Sequence, residues 1–108
     1  MQVQVHYQGL DNSPWVNQFI NERIQKLNRY LGSASAVQIN LKFENKRYLV
    51  GLAIHNKNQD YAFNGEGDNL YGAFSLALDK ANRALGEHKR MLKDKINRRY
   101  APLKNAVA

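Results

Sequence analysis

GEGDNLYGAF, residues 65–74, sets two glycines ahead of a helical pattern. In that arrangement backbone N–H groups and a helix N-terminus can hold a phosphate. Loops of that kind normally bring a lysine, as in GxxxxGK followed by Ser or Thr, and this stretch instead brings Glu66 and Asp68. Two carboxylates repel a phosphate there, while the same charges favour the start of a helix. The segment therefore reads as a turn capped by Asn69 or Asp68, with Tyr71, Ala73 and Phe74 turning toward the core. Asp60, Asn64, Glu66 and Asp68 do not have the spacing of a calcium loop. His6, His55 and His88 fall on three different elements without a metal-ligand pattern, and Ser13, Ser33, Ser35 and Ser75 lack the setting of a nucleophile. Cysteine is absent, which removes thiolate zinc sites and cysteine nucleophiles together. The expectation is a protein that is not an enzyme and uses no cofactor or metal.

Basic residues carry the stronger signal. Sixteen Lys and Arg stand against nine Asp and Glu in 108 residues, a net charge of +7 that suits a polyanionic partner. Arg23, Lys26 and Arg29 recur every three residues along one apolar-periodic stretch. Lys80, Arg83, Lys89, Arg90 and Lys93, followed by Lys95, Arg98 and Arg99, recur along another, interrupted by Glu87 and Asp94. Each set alone fits an ordinary solvated helix face. On one side of one sheet they would form a common surface for phosphates, giving affinity with little base specificity. Structured RNA suits such a surface better than DNA, because neither helix reads as the recognition helix of a helix-turn-helix unit. Trp15, Tyr30, Tyr71 and Tyr100 could stack on bases, but partial core burial is the simpler reading.

Those residues need a scaffold, and the hydrophobic pattern supplies one. Val3, Val5 and Tyr7 alternate with Gln4 and His6 as a strand. A helix starts at DNSPW, with Asn12 or Ser13 as cap and Pro14 in the first turn. It runs to about Gly32 with Val16, Phe19, Ile20, Ile24, Leu27 and Leu31 as its apolar stripe. Three strands follow, with Val37, Ile39, Leu41 and Phe43, then Tyr48, Val50, Leu52 and Ile54, then Tyr61 and Phe63 facing inward. A second helix from about Asn69 to Asn97 has Leu70, Ala73, Phe74, Ala77, Leu78, Ala81, Leu85, Leu92 and Ile96 as its buried band, with Gly86 a weak point inside it. The expected fold is α+β, β-α-β-β-β-α, a four-stranded mostly antiparallel sheet with two helices packed on one face. Residues 1–97 form one domain and 98–108 a short basic flexible tail. The N-terminus does not read as a signal segment, and no run of about 18 apolar residues occurs. The expected location is the cytoplasm, with no membrane partner.

The order of elements and EGDNLYGAFSLALDKANRALGEHKRMLK resemble the short ribosome hibernation promoting factors and the related ribosome-associated inhibitor A, the sigma-54 modulation proteins. Their corresponding segment has the form EGxDMYxAIDxxxDKLxRQLxKHKxxLK. Glu66, Gly67, Tyr71, Ala73, Asp79, Lys80, Arg83, Leu85, His88, Lys89, Leu92 and Lys93 match it as they stand. FINERIQKLNRYL is similar to the family's FVxxKxxKLxxYF, and QINLKFE in the second strand adds to the likeness. Asn69, Leu70, Ser75, Ala84 and Glu87 depart from the pattern, and Glu87 makes the basic face less positive.

The resemblance implies a bacterial protein made as growth slows, which inhibits translation by occupying the decoding region of the small (30S) ribosomal subunit. There it would block the space of messenger RNA and of A- and P-site transfer RNA, contacting 16S rRNA phosphates within 70S ribosomes. By the same resemblance, Arg23, Lys26, Arg29, Lys80, Arg83, Lys89 and Lys93 correspond to the family's helix-borne basic residues, and charge adds Arg90. The tail is basic rather than acidic, so the hibernation-promoting branch, which favours ribosome dimerisation, is expected, with a monomer when free. The alternative is a double-stranded RNA-binding module without ribosome specificity. It shares the helix, three strands, helix order but would place lysines at the start of the second helix.

Overall fold

A computed structural model describes residues 1–87 of the chain. They form β1 (Gln2–Gln8), α1 (Pro14–Ile24), a 3-10 segment (Gln25–Arg29), β2 (Ala36–Glu44), β3 (Arg47–Asn56), β4 (Gln59–Gly67) and α2, helical from 70 to 87. The expected end of α2 near 97, with Leu92 and Ile96, and the domain boundary at 97–98 lie outside these residues.

The strands lie in the order β1-β2-β3-β4. Both hairpin pairings are antiparallel, whereas β1 and β2 run parallel, so the sheet is mixed. The parallel pair follows from α1: a helix between two neighbouring strands returns the chain to the end where the first strand began. Alternation then sets three inward rows across the sheet. Val3, Val37, Ile54 and Tyr61 make one, Val5, Ile39, Leu52 and Phe63 the next, and Tyr7, Leu41, Val50 and Gly65 the third. The β2 and β3 members are buried, as central strands under a helical layer should be. Phe43 keeps its inward parity but lies at the strand end, 39 % exposed, against Tyr48. The β2–β3 turn places Asn45 and Lys46 at φ 54° and 61°, the two left-handed residues that a type I′ hairpin requires.

Ser13 caps α1, its Oγ accepting from Val16 N at 3.4 Å, and Pro14 occupies the first turn, where its missing N–H costs nothing. Beyond Ile24 the chain tightens into the 3-10 segment, yet Leu27 and Leu31 stay buried and complete the expected stripe. In α2, Leu70, Ala73, Phe74, Ala77, Leu78, Ala81 and Leu85 are all buried. The two helices run side by side in the same direction. Phe19 meets Tyr71 and Phe74 toward their starts (centroids 4.8 and 5.8 Å), while Tyr30, just past the 3-10 segment, lies beside Gly86 further along α2. The small side chains of Ala73 and Ala77 let α2 press onto β4 at Gly65. A Cβ there would lie 2.0 Å from Ala73 O and 2.8 Å from Ala77 N.

Candidate nucleic-acid interface

GEGDNLYGAF folds as a strand end, a turn and a helix start. Asn69 Oδ1 accepts from Gly72 N at 2.6 Å, so Asn69 is the cap. Arg47 reaches both carboxylates, with Nε 2.6 Å from Glu66 and a terminal nitrogen 3.0 Å from Asp68. An arginine fork therefore occupies the acids ahead of α2, and Gly65 serves the packing of β4 against α2. Tyr71 departs from its expected place: it is 48 % exposed, with its ring edge-on to Phe19. Trp15 departs further, at 78 % exposed, because it sits on the first turn of α1 where no second layer covers it. Tyr30 is half-buried as expected.

Arg23, Lys26 and Arg29 are all exposed on α1 and the 3-10 segment. The Arg23 guanidinium lies 5.0 Å from the centre of the Phe19 ring, and Arg29 lies 5.5 Å from that of Tyr30. Both aromatic rings also touch α2, so this stripe runs beside the seam between the helices. Arg29 Nε donates to Lys26 O at 3.2 Å, which holds its fork near the segment. Among the described residues, Arg23 and Lys26 have no carboxylate within salt-bridge distance.

On α2 the picture is divided. Arg83 is exposed on the outer surface, with Asp79 one turn back at 3.8 Å. Lys80 is nine positions from Tyr71, about two and a half helical turns, so the two project from opposite sides. Tyr71 faces α1, and Lys80 reaches the other way to donate to Asn64 O of β4 at 2.8 Å. The two basic sets thus share one layer, but Lys80 sits on its far flank at the sheet edge. Lys89, Arg90 and Lys93 lie outside the described residues.

The division of charge along the chain is equally uneven. Residues 1–87 hold nine Lys and Arg against eight Asp and Glu, whereas residues 88–108 hold seven against one. Most of the net charge therefore belongs to the C-terminal part. Within the described residues several acids are already occupied, Glu44 by Lys42 and Asp60 by His55 in addition to those above, and all these pairs are exposed. Two further cations reach the surface at turns that periodicity does not mark, Lys46 and Lys57. Their signal in the sequence is only a lysine within a predicted turn. On the open face of the sheet a hollow of about 660 Å³ mixes His6, Asn40, Lys42, Asn64, Glu66 and Lys80, an arrangement with no nucleophile beside a base. No cluster of three or more His, Cys, Asp or Glu suited to a metal occurs among the described residues. No helix among them is long and apolar enough to cross a membrane.

Residues 3–93 match the family model described as sigma 54 modulation protein / S30EA ribosomal protein. Among similar proteins, the ribosome hibernation promoting factor of Azotobacter vinelandii is 27 % identical over 89 residues, covering 82 % of this chain and 83 % of that one. The ribosome hibernation promoting factor of Escherichia coli K12 is 25 % identical over 93 residues, covering 86 % and 98 %. Two solved structures share the fold. The N-terminal domain of Thermus thermophilus Protein Y superposes with a TM-score of 0.75 at 15 % identity, covering 82 % of this chain and 99 % of that one. A ribosomal subunit interface protein from Coxiella burnetii gives 0.72 at 18 % identity, covering 83 % and 99 %.

Proposed function

The chain belongs to the sigma 54 modulation protein / S30EA ribosomal protein family, and from that membership we propose that it is a ribosome hibernation factor, a ribosome-binding protein of the cytosol that inhibits translation. Its target is the decoding region of the small (30S) subunit, where it excludes messenger RNA and A- and P-site transfer RNA. The mechanism is occlusion, and no bond is made or broken. Arg23, Lys26 and Arg29 beside the seam, Arg83 outside it and Lys80 at the β4 edge contact 16S rRNA phosphates, joined by Lys89, Arg90 and Lys93 from the C-terminal part. The free protein is a monomer, and its basic C-terminal part favours pairing of ribosomes.

One observation carries the RNA contact: among the described residues the Arg23 and Lys26 pair stands without carboxylate partners, whereas Lys42, Arg47 and Arg83 each have one. Cations not already neutralised release the most counterions when they meet phosphates.

The test is sedimentation of ribosomes with the purified protein across a salt series. Binding is expected to fall steeply, the log–log slope being about −0.7 to −0.9 for each phosphate contacted. Pelleting with small subunits and with paired ribosomes reports the target and the pairing together. Binding that survives high salt unchanged would count against phosphate contacts. Equal affinity for a plain RNA duplex would favour a general double-stranded RNA binder instead.

A further inference from the structure

A hollow of about 550 Å³ opens where the 3-10 segment, the tip of the β3–β4 hairpin and α2 meet. Its size lies within the roughly 300–1,000 Å³ of ordinary ligand sites. The lining combines Arg29 and Lys57 with the rings of Tyr30 and Tyr61 and the amides of Asn58 and Gln59, over the buried Leu31 and Leu85. Among the described residues its lining is basic, aromatic and amide-bearing, unlike that of the hollow on the open sheet face, which includes Glu66.

The parts of this hollow are held in place. Asn56 Oδ1 accepts from Gly32 N at 3.1 Å, which ties the hairpin to the chain leaving the 3-10 segment. Tyr61 Oη donates to Gln59 Oε1, leaving the Gln59 amide N–H groups to donate elsewhere. Lys57 holds φ at 57°, a left-handed conformation that glycine or asparagine adopts more readily. The two-residue turn between β3 and β4 calls for this conformation and so presents a long cation at the tip.

We propose that this hollow holds one unpaired nucleotide of an RNA strand, with Arg29 and Lys57 at its phosphate and the tyrosine rings and amides at its base. This rests on the reading that the α1 stripe meets RNA, because Arg29 belongs to both the stripe and the hollow. Arg23, Lys26 and Arg29 follow one another at intervals of three, so a strand tracking the first two arrives at the hollow. Charge alone would accept any anion. Flat rings and amide groups beside the cations suit a planar base whose Watson–Crick edge is free, which a duplex does not offer. An acidic peptide would use the cations and leave the rings and amides without a planar partner.

The probes are single-stranded penta-uridylate and penta-adenylate, a blunt RNA duplex and inorganic phosphate, each titrated into the ¹⁵N-labelled full chain by NMR. Either pentanucleotide is expected to shift the side-chain amides of Asn58 and Gln59 and the backbone signals of Lys57 and Gly32. Duplex and phosphate should leave the two side-chain amides in place. Lys57→Gly, which the backbone tolerates, and Gln59→Ala should each weaken pentanucleotide binding about tenfold. The proposal is overturned by amides that ignore the pentanucleotides, by shifts that phosphate reproduces, or by variants that bind as tightly as the parent. Ribosome sedimentation of the same proteins separates the two readings. Pelleting with ribosomes while the amides stay still removes the nucleotide site and leaves the proposed function standing. Amide shifts without pelleting do the reverse.

Discussion

Gly65→Ala isolates the role of one of the two glycines that raise the question of a phosphate loop. A Cβ at this position would stand 2.0 Å from Ala73 O and 2.8 Å from Ala77 N, both backbone atoms of α2. Neither neighbour can rotate away, so α2 must lift from β4, loosening the packing of Ala73, Phe74 and Ala77, all at most 1 % exposed. Overpacking costs about 1–3 kcal/mol when side chains can adjust, and a backbone clash belongs at or above the upper end. About 3 kcal/mol at roughly 4–8 °C per kcal/mol lowers Tm by roughly 12 °C or more. Gly67→Ala is the matched control. Its Cβ would make an ordinary 3.5 Å contact with Ala73 N, so its stability should change by less than about 1 kcal/mol. Urea and thermal unfolding followed by circular dichroism measure both variants. A Gly65→Ala protein melting within about 3 °C of the parent would show that α2 does not rest on this glycine. A phosphate-loop role predicts a different outcome, stabilisation of the parent by added nucleotide, which is not expected here.

Three further outcomes follow from the same geometry. Replacing Arg23, Lys26 and Arg83 together by Ala should leave the fold intact and reduce the salt dependence of ribosome binding by about two to three slope units, read from sedimentation at several ionic strengths. Asn69→Ala removes the cap on Gly72 N and should cost about 1 kcal/mol in urea unfolding, whereas Asn69→Asp should retain most of it. Arg47→Ala breaks two exposed ion pairs and should cost less than about 1 kcal/mol, a loss that shrinks further in high salt.

Strand alternation in AVQINLKFE and YLVGLAIH placed Val37, Ile39, Leu41, Val50, Leu52 and Ile54 correctly, because a pleated strand with one dry face leaves no other solution. The α2 band was equally legible from Leu70 to Leu85, since a helix against a sheet repeats its apolar positions with the helical period. Trp15 and Tyr71 misled because an aromatic residue looks the same to periodicity whether or not another layer lies above it. Local pattern also could not separate Lys80 from Arg83. Both are exposed basic residues on one helix, and only the position of β4 beside α2 gives Lys80 a carbonyl to reach. Gly86, a weak point on propensity grounds, turns out to lie beside Tyr30, an encounter between residues far apart in the chain.

By itself the sequence determined the succession of elements, the faces they bury and the cations available to meet phosphate, since each depends on period, capping and charge within short stretches. Tertiary structure decided the parallel β1–β2 pair, the seating of α2 on Gly65, the side from which each cation projects and the hollow joining Arg29 to Lys57. Those features depend on distances between segments remote in sequence, which chain topology and close packing set and local pattern does not encode.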